Sequence, residues 1–229
     1  METIGIIGGM SFESTIEYYK ILNAMVNKKF GGLHSAKILM ESYDFDTIAK
    51  LQKSGDWQKL GEILAVSAKK LENAGANYIM IATNTMHNVA RAVQNNINIP
   101  LIHIADAAAD CIKEIGCKTV LLLGTKYTMK ESFYTKKLVG EYDFNVIVPD
   151  ENEMDIIHNI IFNELCVGRI LDKSRQEILK IIEKYKDFGA QCVVLGCTEL
   201  PNLINDKTVF GIPVINTVYA HCRAIINLV

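Results

Sequence analysis

One phrase occurs twice in this chain, and the repetition limits what the chain can fold into. Residues 75–85 read GANYIMIATNT and residues 189–199 read GAQCVVLGCTE, a step of 114 positions that sets Thr83 opposite Cys197. At the same step Leu64, Ala68 and Leu71 stand opposite Ile178, Ile182 and Tyr185. These apolar positions advance by four and three, the spacing of one helix face. Ile99-Pro100-Leu101-Ile102 matches Ile212-Pro213-Val214-Ile215 at a step of 113, and TIGIIG at 3–8 matches TVLLLG at 119–124 at a step of 116. A drift of a few residues is what changed loop lengths produce. The period is far longer than that of a solenoid. The chain therefore reads as a duplicated half.

Each half alternates short apolar runs with longer helical patterns. Strands are expected over 3–7, 36–41, 78–82, 101–103, 119–123, 145–148, 192–195 and 214–215. Helices are expected over 14–28, 57–74, 86–94, 105–114, 130–139, 151–164, 174–188 and 217–227. Such alternation implies parallel sheets covered by helices. The fold class expected is α/β, with two pseudo-symmetric Rossmann-like domains. The first would hold residues 1–99 with 212–229, the second residues 100–211, with a seam near Pro100.

Composition narrows the function. A formal net charge of −2 over 229 residues offers no basic stripe for nucleic acid. The longest apolar runs are of strand length, far short of a membrane span. The opening Met1-Glu2-Thr3 lacks the basic region of a secretory signal, so the expected location is the cytoplasm. Six cysteines show no CxxC pair and no zinc-like spacing, so free thiols and no metal are expected.

In parallel α/β sheets, ligands gather at the carboxyl ends of strands. Four such ends carry polar residues: Gly8 to Ser11, Thr83 to Thr85, Gly124 to Thr128, and Cys197 to Glu199. Free N–H groups at helix starts there would attract a small anion. Gly5, Gly8 and Gly9 do not make G-x-G-x-x-G, which argues against a dinucleotide. Cys197 lies just past a strand, where an exposed thiol would be acidified by helix N–H groups and act as base or nucleophile. Its alternative is a buried structural cysteine, as expected for Cys192. Thr83 holds its proton far more tightly than a thiol does, but it can donate or relay one. Its alternative is a helix N-cap. His87, one turn on, reads as structural. Asn84 and Thr85 could cap the same helix, hold a substrate carboxylate, or both, and Thr198 and Glu199 are polar neighbours of Cys197. Ser11, Gln52, Thr125, Tyr127 and Thr128 are candidate walls.

Five segments carry a resemblance over essentially the whole chain: IGIIGGMSFEST at 4–15, TNTMH at 83–87, LLGTKYTM at 122–129, NELCVG at 163–168 and LGCTEL at 195–200. The chain resembles the aspartate/glutamate racemase family. That resemblance implies two α/β domains with an active site in the cleft between them, no pyridoxal phosphate or metal, and a homodimer. It implies a cysteine on either side of the substrate α-carbon, one thiolate taking the α-proton and the opposite thiol returning one. Cys197 matches the second cysteine. At the first, Thr83-Asn84-Thr85 replaces Cys-Asn-Thr, a variant that some racemases of the family share. Met10 and Gln52 resemble substrate contacts. A lysine that related aspartate racemases carry near Cys166 is absent, leaving Lys126, Lys130 or Arg169 as substitutes.

The function expected is thus interconversion of L- and D-aspartate or glutamate. Cys197 would work on one face and Thr83 on the other, with the L-enantiomer favoured kinetically. Rival expectations are a single-cysteine decarboxylase or isomerase of the same superfamily, and a non-catalytic protein that binds an acidic amino acid.

Overall fold

The computed structural model describes residues 1–229. The chain divides into two compact units, Met1–Ile104 with His221–Val229, and Ala105–Ala220.

In the first unit β1 (Thr3–Gly8) is buried along its whole length. α1 (Phe12–Phe30) follows, capped by Ser11, whose hydroxyl accepts from the Ser14 N–H at 3.3 Å. Then come β2 (Lys37–Ser42), α2 (Phe45–Ser54), α3 (Trp57–Asn73) and β3 (Tyr78–Ile81). A 3₁₀ turn over Thr85–Val89 leads into the short α4 (Ala90–Gln94). The sheet is parallel in the order β2-β1-β3, and Leu101 bridges Ile79 beyond β3. Ile7, Ile48, Leu60, Leu64, Ile79, Ile81 and Val93 lie in one apolar cluster of this unit.

In the second unit α5 (Ile104–Glu114) precedes β4 (Thr119–Gly124), α6 (Lys126–Lys130), α7 (Ser132–Gly140) and β5 (Asn145–Ile147). α8 (Glu151–Asn163), α9 (Asp172–Asp187), β6 (Cys192–Gly196), β7 (Thr208–Val209), β8 (Ile212–Asn216) and α10 (Thr217–Ile226) complete the chain. The order is β5-β4-β6-β8-β7, parallel except for β7 at the edge. β2-β1-β3-Leu101 and β5-β4-β6-β8 are therefore the same arrangement made twice. The repeated segments occupy equivalent places: TIGIIG and TVLLLG form β1 and β4, the GA phrases contain β3 and β6, and the Ile-Pro segments lie next out, the first as a single bridge at Leu101 and the second as β8.

This equivalence moves the domain boundaries from the expected positions. Pro100 O accepts from the Ile79 N–H and the Ile102 N–H donates to Ile79 O, both at 2.9 Å, so the first Ile-Pro segment stays with β3. The second segment pairs with β6 through Val193↔Val214 and Val194↔Ile215. Residues 212–220 therefore belong to the second unit, and only His221–Val229 returns to the first. There Lys29 Nζ donates to Ile226 O at 2.8 Å and to Val229 O at 2.7 Å.

Three elements escaped the sequence pattern. α2 buries Ile48 and Gln52. A glutamine on the buried face hides the helical period, although Asp44 caps one end and Gly55, left-handed at φ 73°, closes the other. α6 and β7 are too short to show a period. The helix expected over 86–94 is half 3₁₀, and the strand expected over 101–103 is a single bridge.

Two glycines are required by close approach. Gly9 has φ +80°, and a Cβ there would lie 2.3 Å from Tyr43 O. A Cβ on Gly196 would lie 2.8 Å from Leu122 Cδ1 and 3.0 Å from Leu123 O. Both sit where a strand hands over to a candidate loop. No helix is long and apolar enough to cross a membrane.

Candidate functional site

In each unit the candidates stand at the carboxyl ends of two adjacent parallel strands. β1 and β3 pair through Ile7↔Ile81, which sets the loop after Gly8 beside the loop after Ile81. The Ser14 hydroxyl donates to Ala82 O at 3.0 Å and ties α1 to the second loop. Thr15 braces the first loop: its Oγ1 donates to Ser11 O at 2.9 Å and accepts from the Gly9 N–H at 2.8 Å. Met10 is buried in the apolar cluster of this unit. Gln52, brought in by α2, donates from Nε2 to Met86 Sδ at 3.1 Å and so stands against the 83–87 segment.

Thr83 is 8% exposed, and Asn84 and Thr85 are buried beside it. The N-cap reading fails here. Asn84 holds the cap position of the 3₁₀ turn and makes no side-chain cap bond, and the turn begins only at Thr85. The Thr83 carbonyl instead accepts from His87 Nδ1 at 2.8 Å.

His87 belongs to a buried cluster. Its ring lies edge-on to His103 at 4.6 Å and to His221 at 5.6 Å between centroids. His221 Nε2 donates to Ile102 O at 2.7 Å, and its Nδ1 accepts from the Tyr18 hydroxyl at 2.9 Å. Burial, with His87 nearby, lowers the His221 pKa from 6.5 to about 3. A depressed histidine pKa means the unfolded chain binds a proton that the folded ring refuses. Stability is then lost as pH falls through the window from 6.5 to about 3, at up to about 1.4 kcal/mol per pH unit. Urea unfolding between about pH 7 and about pH 5 should show this slope in the native chain and a shallower one in His221→Asn. Equal slopes would refute it.

In the second unit, β4 and β6 align Gly124 with Gly196, so the 125–128 and 197–199 loops are neighbours. Thr125 caps α6, its hydroxyl accepting from the Thr128 N–H at 3.2 Å, and the two hydroxyls lie 3.2 Å apart. This matches the Ser11–Ser14 cap in the first unit. Tyr127 packs edge-on to His158 at 5.8 Å. Cys197 is 5% exposed, and its Sγ donates to Glu199 Oε2 at 3.0 Å. Thr198 Oγ1 donates to the same oxygen at 2.9 Å.

The expectation of an exposed, acidified Cys197 is overturned. Burial, then the Glu199 charge and Cys166, push its thiol well above the ordinary 9.0. Beyond Glu199 the chain forms only a three-residue 3₁₀ turn, Leu200–Asn202, whose few N–H groups do not outweigh that burial. The thiol rests protonated, with a carboxylate placed to take its proton.

Two of the proposed substitutes for the missing lysine are engaged elsewhere. Lys126 pairs with Asp155 and, at 3.7 Å, with Glu151, while Lys130 pairs with Glu151. Arg169 is exposed. Two participants carry little weight in the sequence. Glu199 reads there only as a polar neighbour, although its place two residues after Cys197 is visible. Cys166 packs against the cluster that contains Cys197, and the signal for it is the NELCVG segment.

Comparison with known proteins agrees with the doubled α/β architecture. The model of the Asp/Glu/Hydantoin racemase family matches residues 7–225. A crystal structure from Yersinia pestis is 42% identical, covering 100% of this chain and 99% of its own, with a TM-score of 0.92. That of an aspartate racemase homologue from Pyrococcus horikoshii is 39% identical over 100% and 99%, with a TM-score of 0.86. The broad specificity amino-acid racemase RacX of Bacillus subtilis is 24% identical over 93% of this chain and 92% of its own. With a doubled α/β architecture, polar loops at equivalent strand ends and a family match across nearly its whole length, the chain belongs to the Asp/Glu/hydantoin racemase family.

Proposed function

We propose that the protein is a cofactor-independent amino-acid racemase acting on aspartate or glutamate. Cys197 works on one face of the α-carbon and Thr83 on the other. The observation that carries this reading is the buried Cys197–Glu199 hydrogen bond of 3.0 Å. A thiol is a base only once ionised, and Glu199 supplies an acceptor without drawing on solvent. Cys197 Sγ passes its proton to Glu199, and the thiolate removes the α-proton of the L-enantiomer. The carbanion takes a proton on its other face from the Thr83 hydroxyl or from a water bonded to it; solvent then returns a proton to that oxygen and takes the one left on Glu199, which restores the starting state. Asn84, Thr85 and Thr198 hold the carboxylate as charge builds. Ser11, Gln52, Thr125, Tyr127 and Thr128 shape the site. The protein works as a cytoplasmic homodimer.

The kinetic preference for the L-enantiomer takes a restricted form. Mirror images have equal free energy, so kcat/KM for racemisation must be the same from either side. The asymmetry belongs to α-hydrogen exchange without inversion, which Cys197 can support from the L face alone.

A second reading concerns substrate breadth. Lys126 and Lys130 already hold carboxylates of α8, and the relative RacX is named for broad specificity. Neutral amino acids are therefore included in the test, which is α-hydrogen exchange in heavy water from both enantiomers of a panel. Exchange from aspartate and glutamate, faster from L, supports the first reading, and comparable exchange from neutral amino acids supports the second. Binding with no exchange would make this a binding protein. Turnover of malonate-type or maleate substrates alone would make it the decarboxylase or isomerase.

A further inference from the structure

The Thr83 side of the reaction needs a hydroxyl held still, yet nothing in the proposed mechanism uses the histidine four residues on. His87 is 2% exposed and makes two directional bonds within the first unit. Nδ1 lies 2.8 Å from Thr83 O. A carbonyl can only accept, so Nδ1 carries the proton. Nε2 accepts from the Ile104 N–H at 3.2 Å, so it carries the lone pair. The two bonds together fix one neutral tautomer and one ring plane. His103 and His221 both pack edge-on against that ring. Both points where the chain passes between units, after Ile104 and before His221, fall in this cluster.

We propose that His87 is a positioning residue for Thr83: its Nδ1–H pins the Thr83 carbonyl, and with it the peptide plane that aims the hydroxyl. This rests on the reading of Thr83 as the group serving the second face of the substrate. A bond to the backbone constrains Thr83 without touching substrate. Its loss should therefore impair return of the proton on the Thr83 face and spare removal on the Cys197 face.

Two substitutions separate the ring's two bonds. In His87→Asn the side-chain amide N–H can stand where Nδ1–H stood, keeping the donor to Thr83 O. In His87→Gln the longer side chain reaches Ile104 N–H with its oxygen and leaves Thr83 O without that donor. Racemisation and α-hydrogen exchange of L-aspartate are measured for both and for the native protein. Misplacing a reacting group by about 1 Å can cost about 10²-fold. His87→Gln should lower racemisation by about 10-fold or more while L-face exchange stays within about threefold. His87→Asn should keep both within about threefold of native. The proposal is overturned if His87→Gln racemises like the native protein, if both variants lose racemisation equally, or if exchange falls in step with racemisation. Absence of exchange in the native protein would instead remove the reading of function, and this proposal with it.

Discussion

Cys197→Ser is expected to lower α-hydrogen exchange from L-aspartate or L-glutamate by about 10²–10⁴-fold, the usual contribution of one positioned acid–base group. The replacement is nearly isosteric, so the fold should survive. Sγ is buried and donates one hydrogen bond to Glu199, which a serine hydroxyl can also donate. What changes is the proton affinity: an alkoxide is too basic for Glu199 to generate by proton transfer. Exchange is followed by proton NMR in heavy water, with circular dichroism and a thermal melt as controls for folding. A serine variant that folds like the native chain and exchanges within about threefold of it would remove Cys197 from the mechanism.

Glu199→Gln should produce a loss of about 10²-fold near neutral pH, and its pH profile should differ from the native one. With Glu199 in place, proton transfer from thiol to carboxylate is internal to the pair. The total number of protons stays constant in that transfer, so the native rate should be flat across neutral pH. With glutamine, the thiol must lose its proton to solvent. The neighbouring negative charge that helped raise its pKa is gone, but burial, the larger cause, remains. The thiol therefore still titrates above its ordinary value. The variant rate should climb about tenfold per pH unit through the neutral and mildly alkaline range, approaching the native rate only near the top. A flat profile in Glu199→Gln at the native rate would show that the thiol proton goes elsewhere.

Much of the fold was legible because a duplication writes the same instructions twice. The GA phrase marks the strand that ends at Thr83 in one half and at Cys197 in the other, and β1 and β4 announce themselves as apolar runs buried on both faces. α2 was not legible, because Gln52 occupies a position that its helix buries. The domain boundary was misplaced because the sequence shows that two Ile-Pro segments are alike but not which strand each one joins.

Periodicity and repetition, properties of a one-dimensional string, were enough for the doubled α/β architecture, the strand ends that carry Thr83 and Cys197, and the family resemblance. They could not reach the protonation of Cys197, the tautomer of His87 or the engagement of Lys126 and Lys130. Each of these depends on burial and on partners that folding brings together from distant parts of the chain. The free energy of a charge or a directed proton is fixed by what surrounds it in space.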